Sequence, residues 1–272
     1  MEHFYEDLGG WCGGNDVLLL FREAIKRVRV ELPKTIVAGA EPDRDAHFVE
    51  VGTFMGKSAA MMAVEIINSG KDIKYDCVDH WLGSPEHRLG GCAQTHEVVH
   101  GTLYDVFVEN IEPVKDYVNP IKMSSVEASQ LYEDESIDFI WLDADHKFES
   151  VTEDLEHWYP KLKKGGIFAG HDYAPQWGTH KAVNRFIEKR GKDWDLRDSD
   201  GSPLRFVSHQ HGYITGVLGK VEMVAGTFWI ERGNGACPTC GTELTPPPPD
   251  CTSINSSWRQ QTNGDTHGET HT

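Results

Sequence analysis

Two stretches decide the fold of this chain: Ile137-Asp138-Phe139-Ile140-Trp141-Leu142-Asp143-Ala144-Asp145-His146 and Gly165-Gly166-Ile167-Phe168-Ala169-Gly170-His171-Asp172-Tyr173. Each is a short apolar run that ends in carboxylates and imidazoles. Phe148–Leu162 separates them and is long enough for one helix. Apolar runs joined through a helix read as a βαβ unit with parallel, buried strands. In open α/β sheets the carboxyl ends of neighbouring strands share one crevice, and ligands bind there. Asp143, Asp145, His146, His171 and Asp172 are therefore expected to converge, although they lie a helix apart in sequence. That convergence points to an enzyme.

Working outward, Asp16–Glu31 sets Val17, Leu18, Leu20, Phe21, Ile25 and Val28 at mixed helical spacing with charges between them, which predicts an N-terminal helix. His47–Val51 reads as a first strand, Lys57–Asn68 as a helix closed by Ser69-Gly70, and Tyr75–Asp79 as a second strand. Trp81–Gly101 is rich in Gly and His and lacks periodicity, so a long functional loop is expected. Leu103–Ile111 resumes a helix and Pro120–Met123 gives a third strand. Lys181–Lys189 is an amphipathic helix, and Gly212–Leu218 with Gly226–Ile230 reads as a closing antiparallel pair. After Arg232 the run Leu244-Thr245-Pro246-Pro247-Pro248-Pro249-Asp250 and its polar sequel cannot bury enough apolar surface to order themselves. The organisation is then a helical segment over 1–35, an α/β domain over 36–232 and a disordered tail over 233–272.

Composition narrows the partners. At 272 residues the chain can bury one substantial core. Its formal net charge of −17 argues against a nucleic-acid partner held mainly through phosphates, because that mode needs a Lys/Arg surface. No apolar run reaches the roughly 18 residues needed to span a membrane, and Met1–Asp7 lacks the basic start and apolar core of a secretory signal. Cys12, Cys77 and Cys92 are scattered, which suits reduced thiols and a cytoplasmic location. Cys237-Pro238-Thr239-Cys240 is half of a zinc knuckle; two free thiols are the favoured reading, since no second Cys-x-x-Cys is present. Oligomeric state is open, with Gly9-Gly10-Trp11-Cys12 the segment that would cover a partner's site in a homo-oligomer.

Phe48-Val49-Glu50-Val51-Gly52-Thr53-Phe54-Met55-Gly56-Lys57-Ser58 is a strand, a glycine turn and a helix start. Gly52 permits a tight turn and Gly56 a close approach to the helix N-terminus. The acid ending the strand, Glu50, would repel a pyrophosphate but suit a ligand carrying an ammonium group. Asp79, ending the second strand, is placed to accept both hydroxyls of a ribose. Together they suggest a nucleoside ligand without phosphates.

On these residues the chain resembles the class I S-adenosylmethionine-dependent methyltransferases. It is most similar to the branch with macrolide-sugar O-methyltransferases and cephalosporin-hydroxylase-like proteins, and more distantly to the catechol and caffeoyl-coenzyme A enzymes. The matching segments are Glu50–Ser58, Cys77–Trp81, Ser124–Ala128, Asp138–His146, Leu162–Tyr173 and Gly226–Ile230. The resemblance implies a Rossmann-like seven-stranded sheet of order 3-2-1-4-5-7-6, with the last strand antiparallel and helices on both faces. It implies S-adenosyl-L-methionine as cofactor and makes 36–232 the methyltransferase domain. Glu50, Gly52 and Gly56 would line the methionine half, with Thr53, Ser58 and Asp143 also at the cofactor. Asp79 would hold the ribose, and Ser125 would lie near the adenine.

By the same resemblance Asp143 and Asp172 match the two carboxylates that hold magnesium in catechol-type enzymes, and His146 sits where those enzymes place a catalytic lysine. Mg²⁺ or another divalent cation is thus the candidate second cofactor, with Asp143, Asp172 and His171 as its ligands. Tyr173 stands where that site has an asparagine ligand. His146, Asp143 and Asp172 are the candidate catalytic residues. The expected activity is O-methylation of a small hydroxylated metabolite or sugar. The alternatives are a metal-dependent hydrolase built on the Asp/His cluster, which leaves the glycine loop unexplained, and a non-catalytic nucleoside-binding module. The acceptor is to be set by Trp81–Gly101, the N-terminal helix and the loop Ala174–Thr179.

Overall fold

The computed structural model describes residues 1–10, 15–28, 46–84, 95–190 and 226–232. Its centre is a sheet of six strands among those residues: β1 (Ala46–Val51), β2 (Ile73–Asp79), β3 (Asn119–Lys122), β4 (Ile137–Leu142), β5 (Leu162–Tyr173) and β6 (Gly226–Glu231). The order is β3-β2-β1-β4-β5-β6, and β6 alone runs antiparallel, against β5. The expected class is right, but six strands are found rather than seven. The strand expected at Gly212–Leu218 lies outside the described residues, and β6 takes the place beside β5 assigned to the last strand. The tail over 233–272, with Cys237 and Cys240, also lies outside them.

Every inner strand is buried on both faces, as an apolar run between two helical layers must be. Ala46, Phe48, Tyr75, Cys77, Phe139, Trp141, Ile167 and Ala169 face α1 (Asn15–Arg27) and α2 (Lys57–Ser69). Val49, Val51, Val78, Ile140, Leu142 and Phe168 form the opposite core with later helices. Those are α5 (Ser125–Ser129), α6 (Phe148–Trp158) and α7 (Gly178–Arg190). Between β2 and β3 come α3 (Thr95–His100) and α4 (Leu103–Ile111). The long loop expected over Trp81–Gly101 therefore contains a short helix; its middle lies outside the described residues. The helix expected over Phe148–Leu162 stops at Trp158. Pro160 follows in a 3₁₀ turn, Tyr159–Lys161, because proline cannot supply the amide a continuing helix needs. Among the described residues no helix is long and apolar enough to cross a membrane.

The N-terminus is tied to α2. Arg22 forms a two-pronged pair with Glu65, His3 lies 3.3 Å from the same carboxylate, and Lys57 Nζ donates to Leu8 O at 2.9 Å. The sequence 1–10 thus runs beside the β1–α2 connection, with Gly9 and Gly10 against Met55.

Candidate functional site

The carboxyl ends of β1, β2, β4 and β5 meet at one crevice. Gly52 is the reason β1 and β4 come so close. It has φ +89°, and a Cβ there would lie 2.4 Å from the carbonyl oxygen of Asp143. Asp143 N donates to Val51 O and Gly52 N to Val78 O, each at 2.8 Å, so three strand ends are laced together through this turn. Gly56 answers to a different need from the one expected. A Cβ there would strike the ring of Phe107 at 2.8 Å, so what approaches it is the side chain of α4.

Asp79 joins the glycine turn to the next loop. One carboxylate oxygen accepts from Phe54 N at 2.9 Å and the other from Trp81 N at 2.7 Å. These bonds hold both Phe54 and Trp81 at positive φ. A carboxylate offers about four lone-pair positions, so Asp79 keeps acceptor capacity on its exposed side. Glu50 points the other way. It follows Phe48 in strand parity and so enters the core under α2, where Ser58 Oγ donates to it at 2.5 Å and the Tyr75 hydroxyl donates to its other oxygen. Burial pushes its carboxyl up to about 8, against the pull of those hydrogen bonds. Glu50 and Ser58 are thus paired with each other beneath the crevice. Ser125 is also engaged, donating to Asp154 and accepting from Trp158 Nε1. Thr53 differs from these: its hydroxyl is buried and has no partner among the described residues.

The acidic end of the crevice is built from β4 and β5. Asp143 follows Trp141 in parity and faces the α1 side, as does His171, whose ring lies 6.3 Å from that of Trp141. Adjacent residues of a strand ordinarily face opposite ways. Asp172 escapes this rule because it has φ +53° and the β5–β6 register shifts between Gly170 and Tyr173. His171 and Asp172 therefore both reach the crevice, while Tyr173 turns into the far core and donates to Asn184 at 2.8 Å. Asp145 does not join them. It accepts from Lys147 N and Ser150 Oγ, which ties it into the turn that leads into α6.

Asp172 Oδ2 lies 3.0 Å from His146 Nε2 and 3.1 Å from His171 Nδ1. Burial works against its charge, but the hydrogen bonds and charges of the two histidines hold it well below the usual carboxylate range. Burial likewise opposes a charge on His171, yet the bond to Asp172 and the fields of both carboxylates raise it to about 9. Asp143 is met by His171 only at 3.9 Å, and burial lifts it to about 6.

Two absent groups are tested by these contacts. The crevice fits a nucleoside carrying an ammonium: Asp79 for paired hydroxyls, the orphaned hydroxyl of Thr53 in the turn, and Asp143, whose poorly compensated charge a cation would relieve. Magnesium fits less well. The three side chains offering ligand atoms within 4.8 Å of one another are Asp143, His146 and Asp172, so His146 stands in the set in place of the expected His171. An imidazole nitrogen suits softer ions than Mg²⁺. Tyr173 and Asp145, which could have supplied oxygens, are engaged elsewhere.

Sequence reasoning passed over Trp177, which sits in the β5–α7 loop with its ring 4.9 Å from that of His146. The sequence marks the loop Ala174–Thr179 as acceptor-determining, but a lone Trp among Pro and Gln carries no motif.

Comparison with known proteins now bears on this geometry. Residues 49–173, from β1 through the end of β5, match the family model of a methyltransferase domain. The O-methyltransferase NovP has a similar fold, at 15% identity over 81% of each chain with a TM-score of 0.52. A Staphylococcus aureus protein provisionally assigned as a caffeoyl-CoA O-methyltransferase aligns at 13% identity over 84% of this chain and 87% of its own, with a TM-score of 0.48. No curated protein sequence matches this chain. The matched segment holds the glycine turn, Asp79 and the Asp143–Asp172 cluster.

Proposed function

We propose that this protein is an S-adenosylmethionine-dependent methyltransferase that acts on a hydroxyl oxygen of a small molecule, with His146 as the base. The supporting observation is the His146–Asp172 pair, set at the mouth of the crevice that the glycine turn and Asp79 also line. When bound, the cofactor supplies a methyl carbon on a sulfonium, which leaves as a neutral thioether. Methyl transfer to oxygen is an in-line displacement, so the protein's tasks are to position two reactants and remove one proton.

Each task has a residue. Asp79 and Thr53 hold the nucleoside, and Asp143 the ammonium of its methionine half. His146, oriented through its Nε2 by Asp172, takes the proton from the acceptor oxygen. Asp172 stabilises the imidazolium that results. His171, charged near neutral pH, offsets the two carboxylates from inside the protein, which is the service a divalent cation would otherwise perform. The net charge of −17 suits a small-molecule acceptor better than a phosphate backbone.

The test is a methyl-donor assay in EDTA with isotopically labelled cofactor and a panel of hydroxyl, amine and carbon acceptors. Label is expected in hydroxyl acceptors alone, at a rate at least about a hundredfold lower in His146→Gln. Label in amines or carbon, or an unimpaired His146→Gln enzyme, contradicts the reading.

A further inference from the structure

We infer that Trp177 is a specificity-determining residue and that the acceptor it selects is a phenol, its aromatic ring lying on the indole while its hydroxyl meets His146. The inference rests on the proposed function. Four other tryptophans among the described residues are packed away: Trp81, Trp141, Trp158 and Trp229 are each 6% exposed or less, whereas Trp177 is 37% exposed. A single exposed apolar side chain is ordinary on a protein surface. Trp177 is not in an ordinary place, because its ring leans on the imidazole that holds Asp172, at a tilt of 49°.

Nor is it loosely held. The loop Ala174–Trp177 is pinned at both ends and to its neighbour: Ala174 N donates to Asp172 O at 2.9 Å, Trp177 N to Ala174 O at 2.9 Å, and Gly178 N to His146 O at 2.8 Å. A Cβ at Gly178 would stand 2.1 Å from Phe148 N, so the β5–α7 loop is pressed against the β4–α6 loop with no room to spare. The backbone thus fixes an indole beside the base and leaves part of its surface to solvent. A preorganised aromatic surface binds a second ring by offset or edge contact without paying to order itself.

The base narrows the choice among ring-bearing acceptors. A phenol carries its hydroxyl on the ring itself, so its ring can lie on Trp177 while its oxygen reaches His146, whose ring centre is only 4.9 Å from that of the indole. An indole platform next to an imidazole therefore matches an aromatic hydroxyl better than an aliphatic one.

The experiment uses the full chain saturated with S-adenosylhomocysteine, and it measures binding by saturation-transfer NMR and titration calorimetry. The probes are phenol, its saturated counterpart cyclohexanol, and methyl glucoside. Phenol is expected to bind saturably and the other two much more weakly. Trp177→Ala should weaken phenol binding about tenfold and Trp177→Phe about twofold, with S-adenosylhomocysteine affinity and the melting temperature unchanged. The inference is overturned if phenol shows no saturable binding, if Trp177→Ala changes it less than twofold, or if methyl glucoside suffers the loss instead. Failure of S-adenosylhomocysteine to bind would strike the proposed function. The phenol titration repeated without it still decides the role of Trp177, by the same thresholds.

Discussion

The two ends of the sheet bury acids in opposite ways. Midway along β2, facing the amino ends of its neighbours, Asp76 is 1% exposed and surrounded by partners: His47 at 2.7 Å, Lys74 at 3.0 Å, and Asn119 and Tyr132 at 2.9 Å. Burial opposes its charge, but these bonds more than compensate and hold its pKa far below the ordinary value. A cavity of about 440 Å³ opens beside them, lined by the same residues. At the carboxyl ends, Asp143 has one cation at 3.9 Å and its carboxyl rises to about 6. Thr53 keeps a buried hydroxyl with no partner among the described residues. A satisfied buried acid stabilises a fold, whereas polar groups left short of partners mark a site built for something else to complete. The contrast separates scaffold from site without reference to any relative.

The contrast breaks if variants at the two ends behave alike. The largest effect is expected from Asp172→Asn, which leaves the backbone and His171 in place but removes the charge that orients His146. Methyl-transfer kcat should fall by about a hundredfold to ten-thousandfold, with S-adenosylhomocysteine affinity held, as steady-state kinetics and calorimetry would show. Asp76→Ala should do the reverse. It leaves His47 and Lys74 facing an empty, partly buried space and should cost about 2–4 kcal/mol in urea unfolding, with kcat unchanged.

A pH series sharpens the same division. Asp76 has a folded pKa below its ordinary 3.8, so its contribution is fully present above that value and is lost as pH falls from there through the lower folded pKa. Glu50 has a folded pKa of about 8 against an ordinary 4.5, so the folded state holds the extra proton and stability declines as pH rises between those values. Asp76→Asn should flatten the acid limb of a stability–pH curve measured by urea titration, and Glu50→Gln the alkaline limb. Exchange of those two outcomes would invalidate the assignment of charge. The smallest effect belongs to Thr53→Val. Replacing an unpartnered hydroxyl by a methyl of the same shape should leave the melting temperature unchanged or slightly higher, yet weaken S-adenosylhomocysteine about threefold to tenfold.

The sequence made the strands legible because parallel, doubly covered strands must be apolar, and their ends were marked by glycine or acid. The meeting of Asp143 with Asp172 was legible for the same reason, as a consequence of strand adjacency. Roles that depend on which way a side chain turns were harder. Glu50 was expected to face the cofactor, yet its parity with Phe48 sends it under α2; that signal was present in the alternation and could have been used. Tyr173 leaves the face that its parity with His171 would give it at a left-handed residue, Asp172, which no composition rule marks. Gly56 meets Phe107, about fifty positions later, a contact that only the packed helices reveal. His47 and Asp76 sit one strand apart on the same face, and nothing in their local sequence joins them.

The central claim is that the crevice at the carboxyl ends of β1, β2, β4 and β5 is completed by a sulfonium nucleoside. Titration calorimetry of the full chain with S-adenosylhomocysteine tests it most directly, with Asp79→Ala and Asp76→Asn as the paired variants. The account predicts one site per chain, at least about tenfold weaker in Asp79→Ala and unchanged in Asp76→Asn. No binding to the wild type, or equal losses in the two variants, would contradict it.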